Sequence, residues 1–221
     1  MVQNHDANSV ASIDRDFVKL ACSWMQDPAH KFLDFIWSAY KDMRASPPIV
    51  NTKDLERSIT QLLEPRVREN MTGYEPFYIQ HEPYERETMK EPPAQPPQYD
   101  LAFVFRADER IMWPMEAKVL ETSKKVSTYI LGIEKEFMTC RYAPFSNSGA
   151  MLGYLLTGNP SDVFEAIAQK LNCALEPMSE FPHNPNRLSR HKRNVPAGKQ
   201  YPLDFDCYHM ILEFPDLSRA N

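Results

Sequence analysis

Leu101-Ala-Phe-Val-Phe105 and Ile111-Met-Trp-Pro-Met-Glu-Ala-Lys-Val-Leu120 are two strongly apolar runs separated by a short charged turn, Ala107-Asp-Glu-Arg110. Apolar runs of this length on either side of a turn predict a β-hairpin. Side chains alternate along a strand, so Met112, Pro114, Glu116, Lys118 and Leu120 share one face, and Ile111, Trp113, Met115, Ala117 and Val119 share the other. Pro114 has no N–H to donate, which calls for a bulge or an unpaired edge at that point.

Outward from the hairpin, the upstream chain reads as helical. Phe17, Leu20, Ala21 and Trp24, then Phe32, Phe35, Ile36, Trp37 and Tyr40 after Asp27-Pro28, recur at helical spacing and predict a helical hairpin closed by Pro47-Pro48. These aromatic helices either pack on the α/β core or dock onto a partner protein or a second copy. Asn51 or Thr52 is placed to cap a further helix with Leu55, Ile59, Leu62, Leu63 and Val67 on one stripe, kinked or shortened at Pro65. Phe77-Tyr78-Ile79 is strand-like, and Pro92-Pro93-Ala94-Gln95-Pro96-Pro97 reads as an extended connector. Downstream, residues 126 to 139 suit a helix, Gly149 to Leu156 a buried strand, Asn159-Pro160 a cap for a helix running to about Asn172, and Cys207 to Phe214 a last strand.

The chain has 221 residues with 43% hydrophobic and 25% charged side chains, which is globular and, at roughly 150 residues per domain, one domain with an appendage. The expected division is a helical N-terminal extension over 1–50 and an α/β domain over 51–221. Six glycines against 19 prolines leave no glycine-built phosphate loop, and neither a Walker nor a dinucleotide fingerprint is present. Cys22, Cys140, Cys173 and Cys207 form no CxxC pair, so a zinc ribbon or redox motif is excluded and reduced thiols are expected. No apolar run is long enough to span a membrane and Met1 to Asp6 has no leader character, which points to a cytoplasmic protein with no membrane partner. A net charge of −5 means that any nucleic-acid site must be local.

Two features carry chemistry. Asp100 stands at the head of the first strand, and Glu116 and Lys118 lie on one face of the second, so both acids and the amine can converge at one end of the hairpin. Two nearby carboxylates repel unless a cation or proton lies between them, and oxygen-only ligation suits Mg²⁺ or Mn²⁺. Lys118 could orient a water and stabilise a pentacovalent phosphate. The alternative is an ion pair between Lys118 and Asp100 with no catalytic task. The second feature is Arg187-Leu-Ser-Arg190-His191-Lys192-Arg193, in a stretch without acids between Glu180 and Asp204, which could track a nucleic-acid backbone or form a solvated basic loop. His209, in an apolar strand, reads as a core histidine.

Asp100, fifteen intervening residues and Glu116-x-Lys118 together resemble the PD-(D/E)XK, or restriction-endonuclease-like, nuclease superfamily. Tyr99-Asp100 replaces that family's Pro-Asp dipeptide. The resemblance implies an αβββαβ core with a mixed central sheet in an α/β fold, and a Mg²⁺- or Mn²⁺-dependent endonuclease acting on DNA, with RNA as an alternative target. It further implies metal ligation by Asp100 and Glu116, assistance by Lys118 to an attacking water, and a helical acid that would be Glu56 or Glu64, of which Glu56 is preferred because Pro65 follows Glu64. In this family such enzymes commonly serve restriction, phage defence or repair. A catalytically inactive adaptor on the same scaffold, binding a protein partner through the N-terminal helices, is the reading from another class.

Overall fold

A computed structural model describes residues 28–47, 49–88 and 96–219. Helix α1 (Ala29–Ala45) and helix α2 (Leu55–Asn70) precede strands β1 (Phe77–His81), β2 (Leu101–Phe105) and β3 (Met112–Leu120). Helix α3 (Ser127–Gly132) runs into a π-helical turn over Ile133–Phe137, followed by β4 (Ser148–Leu155), α4 (Pro160–Leu171), β5 (Glu176–Pro177), β6 (Asn186–Lys192) and β7 (Asp204–Glu213). The seven strands form one mixed sheet in the order β1-β2-β3-β4-β7-β6-β5. The pairs β3–β4 and β4–β7 are parallel and the others antiparallel. The fold is therefore α/β, with helices on both faces. No described helix is long and apolar enough to cross a membrane.

The alternation read in β3 sets the layers. Ile111, Trp113, Met115 and Ala117 pack under α1 and α2, with Phe32, Leu33, Ile36, Ile59, Leu63 and Val67, while Met112 and Leu120 meet Tyr129, Ile133, Phe137 and Val163 on the opposite face. Pro114 lies in the interior of the sheet, at neither a bulge nor an edge strand. Its missing N–H is tolerated because the ladder to β4 begins one residue later, at Met115↔Ala150.

Helix α1 is not an appendage. Phe32 stacks on Phe103 at 4.1 Å, Trp37 Nε1 donates to Asn186 Oδ1 at 2.9 Å, and the Tyr40 hydroxyl donates to Glu213 O at 2.8 Å. The packing reading thus holds for Phe32, Ile36 and Trp37, which are buried; Phe17, Leu20, Ala21 and Trp24 lie outside the described residues, as does most of the proline-rich run. The described ends of that connector fold back on each other through Tyr84↔Gln98, continuing the β1–β2 hairpin.

Three local expectations change. Asp54, not Asn51 or Thr52, caps α2 by accepting from Arg57 N, and the helix continues through Pro65 to Asn70. The helix expected over 126–139 is α-helical only to Gly132. Tyr129, Ile133 and Phe137 are all buried at a spacing of four, which drifts about 40° per step on an α-helix, and the wider π turn takes up that drift. Residues 187–192 lie in strand β6 rather than in a loop, and Arg193 directly follows it.

Candidate functional site

Strand β3 outruns its antiparallel neighbour. The β2–β3 register ends at Leu101↔Met115, so the β2-facing edge of β3 from Ala117 onward has no strand opposite it. Backbone N–H groups in such a notch need acceptors, and two carboxylates supply them. Asp100 Oδ2, immediately before β2, accepts from Ala117 N at 2.7 Å, and Glu56 Oε2, in the first turn of α2, accepts from Val119 N at 3.3 Å. The notch thereby draws two acids from separate elements onto one strand edge.

Lys118 lies among them. Its Nζ is 2.8 Å from Glu116 Oε1, 2.9 Å from Glu56 Oε1 and 3.8 Å from Asp100 Oδ2, and it donates to Ala117 O at 2.6 Å. All four side chains singled out at this site therefore meet. Glu64 does not take part, being turned along the helix to an ion pair with Arg68. Burial alone would lower the Lys118 pKa, but the charges of Glu116, Asp100 and Glu56 outweigh it and raise it, so the ammonium form is favoured. Glu116 is 8% exposed; burial first, and then repulsion from Asp100, push its carboxyl up to about 8 despite the ammonium beside it. Three carboxylates around one ammonium leave a local excess of negative charge.

No family model, no curated protein and no solved structure matches this chain. Its chemistry has to be read from the geometry.

Among the described residues, no three His, Cys, Asp or Glu side chains are disposed as a ready-made metal cage. The donor chemistry at the notch nevertheless fits a hard divalent cation: the side-chain acceptors are all oxygen, acids outnumber the one ammonium, and one of them is a buried carboxyl whose ionisation is opposed first by burial and then by Asp100.

The basic segment meets acids from neighbouring strands, and its Arg190 and Lys192 pairs are exposed. The acids missing from its own sequence arrive across the sheet: Arg190 pairs with Glu176 at 2.6 Å and with Asp206 at 3.7 Å, and Lys192 pairs with Asp204. Arg187 lies over the Phe164 ring at 5.0 Å, and half-buried His191 bonds Ser189 Oγ at 2.6 Å. Arg193 is 3% exposed, and its guanidinium donates to the carbonyls of Phe137, Tyr142, Ala143 and Ser146. This burial opposes a phosphate grip at Arg193, because reaching a ligand would orphan the buried carbonyls of Tyr142 and Ser146 and take one of two donors from those of Phe137 and Ala143.

His209 is fully buried and accounted for structurally, within hydrogen-bond distance of Tyr129 Oη through Nδ1 (3.0 Å) and of Ser189 Oγ through Nε2 (2.7 Å). What the sequence reading missed is a cleft of about 380 Å³ directly beyond Lys118, lined by Val119, Glu121, Lys125, Ser127 and Thr128. The available signal was the Lys124-Lys125 pair followed by two hydroxyl residues just after β3.

Proposed function

We propose that this chain is a metal-dependent nuclease of the PD-(D/E)XK type that hydrolyses DNA phosphodiester bonds at the β3 notch. The observation that carries the reading is the convergence of Glu56, Asp100 and Glu116 on Lys118 at a strand edge where β3 is otherwise unpaired. The element order α2-β1-β2-β3-α3-β4, with β1 to β3 antiparallel and β4 parallel to β3, supports it as well.

Asp100 and Glu116 would hold a Mg²⁺ or Mn²⁺ ion. Such an ion supplies positive charge that acidifies a water and offsets the charge of the phosphate. Glu56 positions Lys118 through its 2.9 Å contact and keeps the ammonium over the notch. Lys118, whose charged form the surrounding acids favour, would exchange one of its present acceptors to donate to the attacking water and to stabilise charge developing on the phosphate oxygens. Neither acid lies beyond the reach of solvent, since Asp100 and Glu56 are both partly exposed.

The test is cleavage of plasmid DNA by the full chain in Mg²⁺ or Mn²⁺, with Glu116→Gln and Lys118→Ala beside it. Loss of one electrostatic or ligating group should slow cleavage by about 10²-fold or more, with the fold retained by circular dichroism. Full activity in either variant rejects the assignment.

A second reading has its own observation. The three N–H groups of Lys118 are already taken by the carboxylates of Glu116 and Glu56 and the Ala117 carbonyl, so the cluster can serve as a clasp that closes the notch in an inactive, partner-binding scaffold. A clasp predicts no cleavage and no divalent-ion response.

A further inference from the structure

The turn after β3 builds a wall next to the notch. Ser123 is buried, and its Oγ accepts from Asn159 N at 3.2 Å and donates to Asn159 O at 3.4 Å, which pins the turn to the residue that caps α4. Beyond that anchor opens the 380 Å³ cleft, its nearest edge at Val119, the residue following Lys118. At roughly 3.3 Å per strand residue, the distance from Lys118 to Glu121 is on the order of 10 Å, so an occupant of the cleft would sit beside a group held in the notch.

The lining suits an anion. Lys125 contributes an ammonium, and Ser127 and Thr128 contribute exposed hydroxyls. From α4, Lys170 Nζ donates to Ser127 Oγ at 3.1 Å. Because that contact uses an oxygen lone pair, the Ser127 proton stays available to donate, and the adjacent positive charge strengthens it as a donor. Among the described residues no carboxylate lies within ion-pair distance of Lys170. The opposing group is Glu121, which pairs with Lys125 four residues on; both side chains are more than half exposed, so the pair is weak and exchangeable.

We infer that this cleft seats a phosphodiester of the nucleic-acid strand next to the scissile one, held by Lys125, Ser127 and Thr128 with Lys170 behind them. The inference rests on the nuclease reading for its substrate class, but on none of the four residues of the notch. In this arrangement the incoming phosphate competes with Glu121 for Lys125, so Glu121 acts as a brake on affinity.

The experiment is fluorescence anisotropy of a labelled short DNA duplex with the full chain in EDTA, which separates binding from cleavage. Lys125→Glu and Lys170→Glu should each weaken binding at least tenfold and flatten its dependence on salt by about one phosphate contact. Glu121→Gln should tighten binding, which a purely structural role for the turn would not produce. Lys170 is exposed on α4, so Lys170→Gln, expected to weaken binding by a smaller factor, keeps the test valid if a charge reversal fails to fold. A labelled RNA of the same sequence, bound more tightly than DNA and with the same losses, would move the cleft's substrate to RNA and overturn the DNA assignment. Unchanged DNA affinity in both lysine variants, with wild-type cleavage intact, overturns the cleft and leaves the notch standing. Lost affinity in a chain that never cleaves supports the cleft and overturns the nuclease.

Discussion

Arg193 and His209 show how burial decides a residue's task. Arg193→Met would leave the buried carbonyls of Tyr142 and Ser146 without a donor, while those of Phe137 and Ala143 keep the backbone N–H of Cys140 and Ser146, and at about 1–3 kcal/mol for an unsatisfied buried group the loss should be at least about 2 kcal/mol. Urea unfolding should show that loss, while affinity for a DNA duplex per folded molecule stays unchanged. His209 is held neutral: burial, and then nearby His191, push it down to about 3 from an ordinary 6.5. Its stabilising contribution is therefore complete above pH 6.5 and is lost as pH falls toward 3, with a limiting slope of about 1.4 kcal/mol per unit. His209→Gln should lower stability at pH 7 and flatten this acid decline, as followed by thermal melting from pH 7 to pH 4. At this scale Asp100, Glu116 and Lys118 were legible in the sequence, because strand alternation and a short hairpin fix their neighbours locally. Arg193 was not, because its partners lie some 50 residues upstream in the chain.

The elements show the same division between local and distant causes. The β2–β3 hairpin and the Asn159-Pro160 cap follow from adjacent residues, and the structure has both. The notch that gathers the carboxylates depends on where β2 stops, and no pattern in β3 alone reveals it. Strand β6 looked like a basic loop because the charges compensating it, Glu176, Asp204 and Asp206, belong to β5 and β7 and meet it only through the register. The parallel β3–β4 ladder has a sensitive point at Gly149, where an added Cβ would lie 2.9 Å from the Pro114 carbonyl oxygen. Backbone on both sides cannot yield as a side chain can, so Gly149→Ala should cost about 1–3 kcal/mol in urea unfolding; a neutral result would mean that β3 and β4 are further apart than described.

At the scale of the molecule, α1 and α2 cover one face of the sheet and α3 with α4 cover the other, so the described residues from Ala29 onward belong to the core. The expected boundary at residue 50 followed from Pro47-Pro48, but proline punctuation marks the end of a helix, not the end of a core. Deleting residues 1–50 removes Phe32 and Ile36 from above Phe103 and Trp113, and should yield an aggregating chain without a cooperative melt. The function assigned to the assembled molecule depends on whether the acids around Lys118 accept a cation. A ligand that binds only the native state must raise its melting temperature, so the decisive measurement is the thermal shift of the full chain on adding Mn²⁺, beside Asp100→Ala. A rise of a few degrees that disappears in the variant is the result expected of a nuclease site; melting curves that ignore Mn²⁺ in the native chain would contradict it and leave the cluster as a clasp.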